Sequence, residues 1–501
     1  MRNVDTKEKI PDRYFIFVVV ILGLYLLFRL LNQANMMVEF PIDNKANDIS
    51  SHIAKLYFLK VYGIHNYIPN WYNGNYQLLK YYSPGWYLFS LPIIYVVENP
   101  LVATYLSISI IYILLFLACL LLGRSQSLSK IKSITIFLFT FANPIAIGYF
   151  LRLGKLPELF SWIWFILLFT LLIYYKDKML DKYFLVFVPL AVFLFYSHIL
   201  FFIIYLIILV SFFIIKTNKE RLYIVLLMIL VLILASYFLV PLYTNIIGQS
   251  SVDINALERI TYPQRLTNII GSFFTPLLFI GAFLLYFYGV EHKKKELLFY
   301  LVPLIVAILL FTGLLIHIPF FNKPESKSYD IFFIFLSSFL LMKSKINKDS
   351  VIIKNLLKIG LIIVPILGVL LSTLITSFFI PHTADINNVI KLLDGVDGNL
   401  AILGVPNDIH PGAIYSYAAV YNNITSISGW DISGISNDYT VQLEELSTFL
   451  KIHNCNGFKI AMSNLNVQNV VSSDNYCDFL SKCGLTIKDY KGNFCLYSFN
   501  N

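Results

Sequence analysis

Long apolar runs dominate this chain, at 14–32, 101–123, 133–148, 158–175, 183–197, 199–215, 222–246, 267–290, 297–316, 326–342 and 359–380. A helix crosses a hydrocarbon core with roughly 17–25 mostly apolar residues, and a water-soluble core has no room for so many. Composition agrees: 58% of residues are hydrophobic and only 13% charged, where soluble domains carry roughly 25% charge. The expected fold is mainly α, a polytopic helical membrane bundle of about eleven transmembrane helices. The stretch 183–215 is divided at Ser197–His198, because a histidine in mid-membrane is costly. The first run is too long for a signal-peptide core and lacks a small-residue cleavage site after it, so it reads as a retained anchor.

Lysine and arginine in the short loops set the direction. With the N-terminus inside, the inner side holds 21 of the 38 basic residues, among them Arg124, Lys130, Lys132 and Lys293–Lys295. An odd number of spans then places residues 381–501 outside. This count requires that 83–97 does not cross, so the stretch reads as a helix lying along the outer leaflet, with Pro92 and Glu98-Asn99-Pro100 as breakers. The net charge of +9 conceals a basic membrane part and an acidic tail, a split unlike the even basic coat that nucleic acid requires. Four of the five cysteines (Cys455, Cys477, Cys483 and Cys495) lie in that tail. They allow two disulfides in any of three pairings, or four free thiols. The chain thus divides into a transmembrane domain at 1–380, with a long first outer loop at 33–100, and an extracytoplasmic α/β domain at 381–501. In the tail, Leu400–Val405 reads as a strand, 440–453 as a helix and Gly457–Met462 as another strand.

Loops far longer than the usual 4–6 residues are commonly functional. The loop at 33–100 holds Glu39, Asp43, Asp48 and His52, and the last two share one helical face at i and i+4. An aromatic run follows, Trp71-Tyr72-Asn73-Gly74-Asn75-Tyr76, then Lys80-Tyr81-Tyr82-Ser83-Pro84. Interfacial aromatics are ordinary membrane-belt residues, and that reading covers part of the run. A second cluster, Arg152-Leu153-Gly154-Lys155-Leu156-Pro157-Glu158, squeezes three charges between two apolar runs, which is expensive without a purpose. Its structural alternative is snorkelling cations plus a carboxylate favoured by a helix N-terminus. His198 stands in the next outer turn. Asp253, Glu258, Arg259, Gln264 and Arg265 in one loop, and Lys323, Glu325 and Lys327 in another, read as solvated surface, with Arg265 kept as a site candidate. No phosphate-binding glycine loop, dinucleotide fingerprint, H-E-x-x-H or C-x-x-C pattern is present.

The order of Asp48-x-x-x-His52, the Trp71–Tyr76 run, Tyr81–Pro84 and Arg152–Glu158 resembles a family of prokaryotic polytopic membrane proteins whose domain is named "6-pyruvoyl-tetrahydropterin synthase-related". The architecture is similar to the GT-C glycosyltransferase superfamily, and Ser428-Gly429-Trp430-Asp431 with Gly457–Met462 resembles its tail. Nothing in the chain suggests a soluble zinc-dependent pterin synthase. The resemblance implies transfer of a sugar from a polyprenyl-phosphate-linked donor to a glycan, lipid or protein acceptor at the outer face of the cell membrane, among membrane lipids and without nucleic acid. Asp48 is then the catalytic base with His52 orienting it or meeting the phosphate. Lys80, Arg152 and Lys155 meet the departing phosphate, and Glu158, His198 and Arg265 are further site candidates. The first loop has no adjacent acidic pair, a departure from the family that argues against a metal site; a divalent metal ion is kept as a candidate cofactor with no ligands assigned. The rival readings are a carrier or flippase for lipid-linked glycans, and a non-catalytic assembly protein.

Overall fold

The computed structural model describes residues 39–42, 48–80, 82–248, 266–290, 292–319, 321–344, 381–406, 409–430 and 435–499. The expected spans 14–32 and 359–380 lie outside them, as do Asp43, Tyr81, Asp431 and the loop residues Asp253, Glu258, Arg259, Gln264 and Arg265.

Apolar runs become helices at Pro100–Ser125, Leu156–Tyr175, Phe187–Ser197, Ile199–Ile215, Asn218–Gly248, Leu266–Tyr288, Lys293–Phe311 and Ser326–Lys343. Among the described residues three are long and apolar enough to cross a membrane: Pro100–Ser125, Leu156–Tyr175 and Asn218–Val240. A fourth arises if Lys130–Phe141 and Ile145–Arg152 form one span bent by 55°. The single helix expected over 133–148 is therefore broken. Pro144 has no amide hydrogen to continue the ladder, and the Asn143 side chain accepts from the Ala146 amide at 3.0 Å instead.

Helix starts follow local chemistry. Asn99 accepts from the Leu101 and Val102 amides at 2.9 and 3.2 Å, with Pro100 at the first helical position. The break at His198 is real: its backbone is extended (φ −164°), and its imidazole accepts from the Phe201 amide at 3.2 Å to cap the next helix. Leu156–Tyr175 is the centre of the bundle and is mostly buried, whereas Asn218–Val240 keeps a broad apolar face outward. Helix Gly85–Val97 has 13 residues, about 20 Å at 1.5 Å per residue, short of the ~30 Å hydrocarbon thickness. It starts against the His198 break: Ser83 Oγ accepts from the Ile199 amide at 3.3 Å, and a Cβ on Gly85 would lie 2.9 Å from Ser197 Cα.

The first loop contains helix Ile49–Tyr62 and a small antiparallel pair, β1 (Tyr67–Ile68) and β2 (Tyr76–Gln77). The tail carries a mixed sheet of β3 (Leu400–Leu403), β4 (Asn469–Ser473), β5 (Thr486–Lys491) and β6 (Phe494–Ser498), in the order β3-β4-β6-β5. β3 and β4 are parallel, and the other two pairs are antiparallel. Helix Asn437–Lys451 matches expectation, but the strand expected at Gly457–Met462 is part of helix Cys455–Asn464. Asn454 caps it by accepting from the Gly457 amide at 3.1 Å. Phe458, Ala461 and Met462 are buried at i, i+3 and i+4, a helical period that the short apolar stretch disguised. The tail cysteines are paired as Cys455–Cys483 and Cys477–Cys495, while Cys119 is free and buried.

Candidate active site

The site forms where the start of helix Ile49–Tyr62 meets the turn before helix Leu156–Tyr175. The Asp48 amide donates to the Leu153 carbonyl at 3.0 Å. Gly154 allows this approach, because its φ is +76° and a Cβ there would sit 2.5 Å from the Ile49 nitrogen. Asp48 stands at the N-cap, yet its carboxylate makes no capping bond. It turns instead to Lys155, whose Nζ lies 2.7 Å from Asp48 Oδ2 and 2.7 Å from Glu325 Oε1. Glu325 itself precedes helix Ser326–Lys343. One ammonium thus ties together three segments remote in sequence.

Burial, the largest single influence, pushes the Asp48 carboxyl up, but the Lys155 charge and hydrogen bond, with His52 and Lys55, together hold the group below the usual aspartate range. Burial likewise opposes the Lys155 charge, and Asp48 and Glu325 overcome it, leaving the ammonium above the ordinary lysine range. One turn on, His52 is 2% exposed, and its Nδ1 is 2.6 Å from the Tyr87 hydroxyl. Burial pulls its pKa down to about 3, against the attraction of Asp48, so it is neutral at pH 7. Lys55 continues the same face at 1% exposure, with its ammonium 4.3 Å above the centre of the Tyr82 ring. His198 lies within electrostatic reach of Lys155 and Asp48.

A second polar group lies just inside the bundle. Glu158, 2% exposed, accepts through Oε2 from the Tyr149 hydroxyl at 2.8 Å and from Ser328 Oγ at 2.9 Å. Its Oε1 is buried without a hydrogen-bond partner among the described residues, and so is Arg152 Nε. Arg152 closes the π-helical turn Gly148–Arg152, one residue before the Leu153 carbonyl that receives Asp48. Asp330, also 2% exposed, accepts from Thr275 at 2.7 Å. Lys80 is placed differently, within electrostatic reach of His65.

The tail closes over the first loop. The Ser426 amide and hydroxyl donate to the Asn70 carbonyl at 3.0 and 2.7 Å, and the Asn73 side chain donates to the Leu465 carbonyl at 2.6 Å. Trp71, Tyr72 and Tyr76 are at most 2% exposed. The run expected in part as a membrane belt is therefore a docking surface, with Gly429 laid against Trp71 and Tyr72. The His410 ring stacks on Trp430 with centroids 4.0 Å apart, and its amide donates to the Ile42 carbonyl at 3.2 Å. His410 also lies within electrostatic reach of Asp48.

Sequence reasoning passed over Glu325, read as solvated surface, and Lys55, read as part of an apolar stretch. Spacing carried a signal for both. Lys55 is seven residues from Asp48, two helical turns along one face, and Glu325 immediately precedes an apolar run, as a carboxylate at a helix N-terminus does. Tyr87, Tyr149, Ser328 and His410 had no such signal.

No family model matches the chain, and no curated relative does, so the pterin-synthase-related domain has no support. The archaeal oligosaccharyltransferase AglB from Archaeoglobus fulgidus, solved in complex with an inhibitory peptide and a dolichol-phosphate, is similar at TM-score 0.60 and 13% identity, over 98% of this chain and 75% of that one. An Archaeoglobus fulgidus oligosaccharyltransferase complex with zinc and sulfate is similar at TM-score 0.58 and 13% identity, over 92% and 68%. ArnT from Cupriavidus metallidurans is similar at TM-score 0.55 and 10% identity, over 96% and 98%. Among the described residues no three His, Cys, Asp or Glu side chains gather to hold a metal ion. The two carboxylates best placed for one are both held by Lys155, so these residues do not fit a bound divalent cation. The fold of this chain is GT-C-like.

Proposed function

We propose that the protein is a glycosyltransferase that moves a sugar from a polyprenyl-phosphate carrier to an acceptor at the outer face of the membrane. The observation that carries this reading is the Asp48–Lys155–Glu325 bridge, a partly open charged site between the bundle and the tail. Similarity to AglB, whose structure holds dolichol-phosphate, supports a lipid-linked donor. On this reading residues 1–380 embed the donor's prenyl chain, and residues 381–501 form an extracytoplasmic domain that helps bind a glycan, lipid or protein acceptor. Two disulfides suit an oxidising compartment.

In the reaction the acceptor's lone pair forms a bond to the anomeric carbon, and its proton passes to Asp48. The bond between that carbon and the phosphate oxygen breaks, and its electron pair stays on the phosphate. Charge grows on that phosphate in the transition state, where Lys155 and Arg152 stabilise it. The two roles are coupled. As the phosphate draws the Lys155 ammonium, Asp48 loses part of the attraction that lowered its pKa and becomes a better proton acceptor. His52 orients the Asp48 face through its bond to Tyr87, and His198 and Glu158 line the same end of the bundle.

Mass spectrometry of surface glycans and prenyl-linked sugars in a deletion strain tests the reading. The expected result is loss of one surface glycan together with accumulation of its prenyl-phosphate-linked sugar. Unchanged profiles of both would overturn it.

A further inference from the structure

Asp48 and Glu325 come from opposite parts of the sequence, yet each places a carboxylate oxygen 2.7 Å from one nitrogen. Two carboxylates facing one point is a typical start of a cation site, since hard divalent ions take oxygen ligands at about 2.0–2.6 Å. Here that point is filled by the chain itself. A metal ion cannot share the volume of the Lys155 ammonium, and its charge would be repelled there. We propose that the Lys155 ammonium is a built-in substitute for a divalent cation: it holds Asp48 and Glu325 in place and carries the positive charge that meets the departing phosphate, so that transfer needs no added metal ion.

The carboxylates keep the ammonium charged well beyond neutral pH, so this cation does not depend on metal supply. Glu325 is a positioning residue in this arrangement. It shares the ammonium with Asp48, and when Lys155 turns to the phosphate it remains as the second anchor of the lysine. At the other end of the bundle Lys216 pairs with Glu220, and Lys176 pairs closely with Glu296 and only at 3.8 Å with its chain neighbour Asp177.

The activity arm of the test rests on the proposed glycosyl transfer, whereas the binding arm does not. Manganese(II) binding to the purified full-length protein is read by electron paramagnetic resonance. Wild type should show no site that Asp48→Asn removes. Lys155→Ala should gain one site, at least tenfold tighter than any in wild type, and Lys155→Ala with Glu325→Gln should lose it. Lys155→Met keeps the bulk of the side chain and guards against a cavity that unfolds the alanine variant. In the activity arm, wild-type transfer should stay within twofold on adding EDTA. Lys155→Ala should be inactive in EDTA and partly restored by manganese. A wild-type manganese site sensitive to Asp48→Asn, equal binding by wild type and Lys155→Ala, or a tenfold loss of wild-type transfer in EDTA would overturn the proposal. If no preparation transfers sugar, the glycosyltransferase reading fails while the binding arm still decides the role of Lys155.

Discussion

Gly154 and Ile49 approach so closely that a Cβ on the glycine would lie 2.5 Å from the isoleucine nitrogen. This backbone contact, rather than a side-chain pair, sets the distance between the first loop and the central helix. The Asp48 amide bond to Leu153 and the Asp48–Lys155 ion pair both sit within two residues of it.

Gly154→Ala should therefore separate the two segments. The left-handed φ costs an alanine roughly 1–2 kcal/mol, and the backbone clash adds to that. A thermal midpoint lowered by several degrees is expected, with transfer reduced at least tenfold. Gly148→Ala is the control, since a Cβ there would meet nothing within 4 Å. Equal behaviour of the two variants would show that the approach at Gly154 is not what holds the site.

Much of the bundle was legible because long apolar runs have few alternatives to a helix, and the break at His198 could be placed because a polar residue inside such a run is costly. Part of the site was legible for the same reason: Arg152, Lys155 and Glu158 stood out against an apolar background. Glu325 did not, because it lay among Lys323 and Lys327 in a loop where charge is ordinary. Its partner is 170 residues away in sequence, and no local pattern encodes that distance. The tail was harder still. A six-residue apolar stretch such as Gly457–Met462 fits either period, and the Asn454 cap that decided for helix lies before it. The Trp71–Tyr76 run has the composition of a membrane belt, and only the position of Gly429 shows what it packs against.

If Asp48 takes the acceptor's proton, Asp48→Asn keeps the shape of the side chain and removes the acceptor. General-base losses are typically 10²–10⁴-fold, so transfer from a radiolabelled prenyl-phosphate sugar in membranes should fall by that order at unchanged levels of folded protein. Arg152→Ala should weaken donor binding and turnover together. Arg152→Lys should recover only part, because a point charge replaces a bidentate fork. Glu258→Gln should be near neutral. Wild-type transfer by Asp48→Asn would remove that residue from the mechanism.

His52 gives the fold an acid-sensitive element. Its folded pKa is about 3, against about 6.5 when unfolded. Between these values the unfolded chain binds the extra proton and the folded chain does not, so stability is full above about pH 6.5 and falls as pH drops towards 3. Asp48 adds its own loss only lower, as pH falls below the usual aspartate range. Chemical denaturation of the purified protein at pH 7, 5.5 and 4.5 should show a falling midpoint, and His52→Gln should flatten that slope. An unchanged slope in the variant would assign the acid sensitivity elsewhere.

Orientation is testable without activity. Cysteine placed at Lys294, in the first turn of helix Lys293–Phe311, should resist membrane-impermeant maleimide in intact cells and react after lysis. Cysteine placed at exposed Ile487 in the tail should react in both. Labelling of position 294 from outside would invert the topology and place the Asp48 site on the cytoplasmic side.

The docking of the tail can be broken at one aromatic. Trp71 is fully buried, with its ring 5.0 Å from that of Phe58 and 5.4 Å from that of Tyr76, and Gly429 lies on its face. Truncating a buried tryptophan costs on the order of 3–5 kcal/mol. In the tail, Cys477–Cys495 ties β6 to helix Asp474–Lys482, and Cys455–Cys483 ties the end of that helix to helix Cys455–Asn464. Trp71→Ala should therefore loosen the interface before it unfolds the sheet. Limited proteolysis of the full-length variant should cut faster around residues 381–383, where the His382 amide donates to Glu39 at 2.9 Å, and release a protease-resistant tail. Transfer should fall with a raised acceptor KM if the tail binds acceptor, and in kcat alone if it only shields the site from water. Proteolysis and transfer both at wild-type levels would show that the aromatic contact does not hold the tail against the first loop.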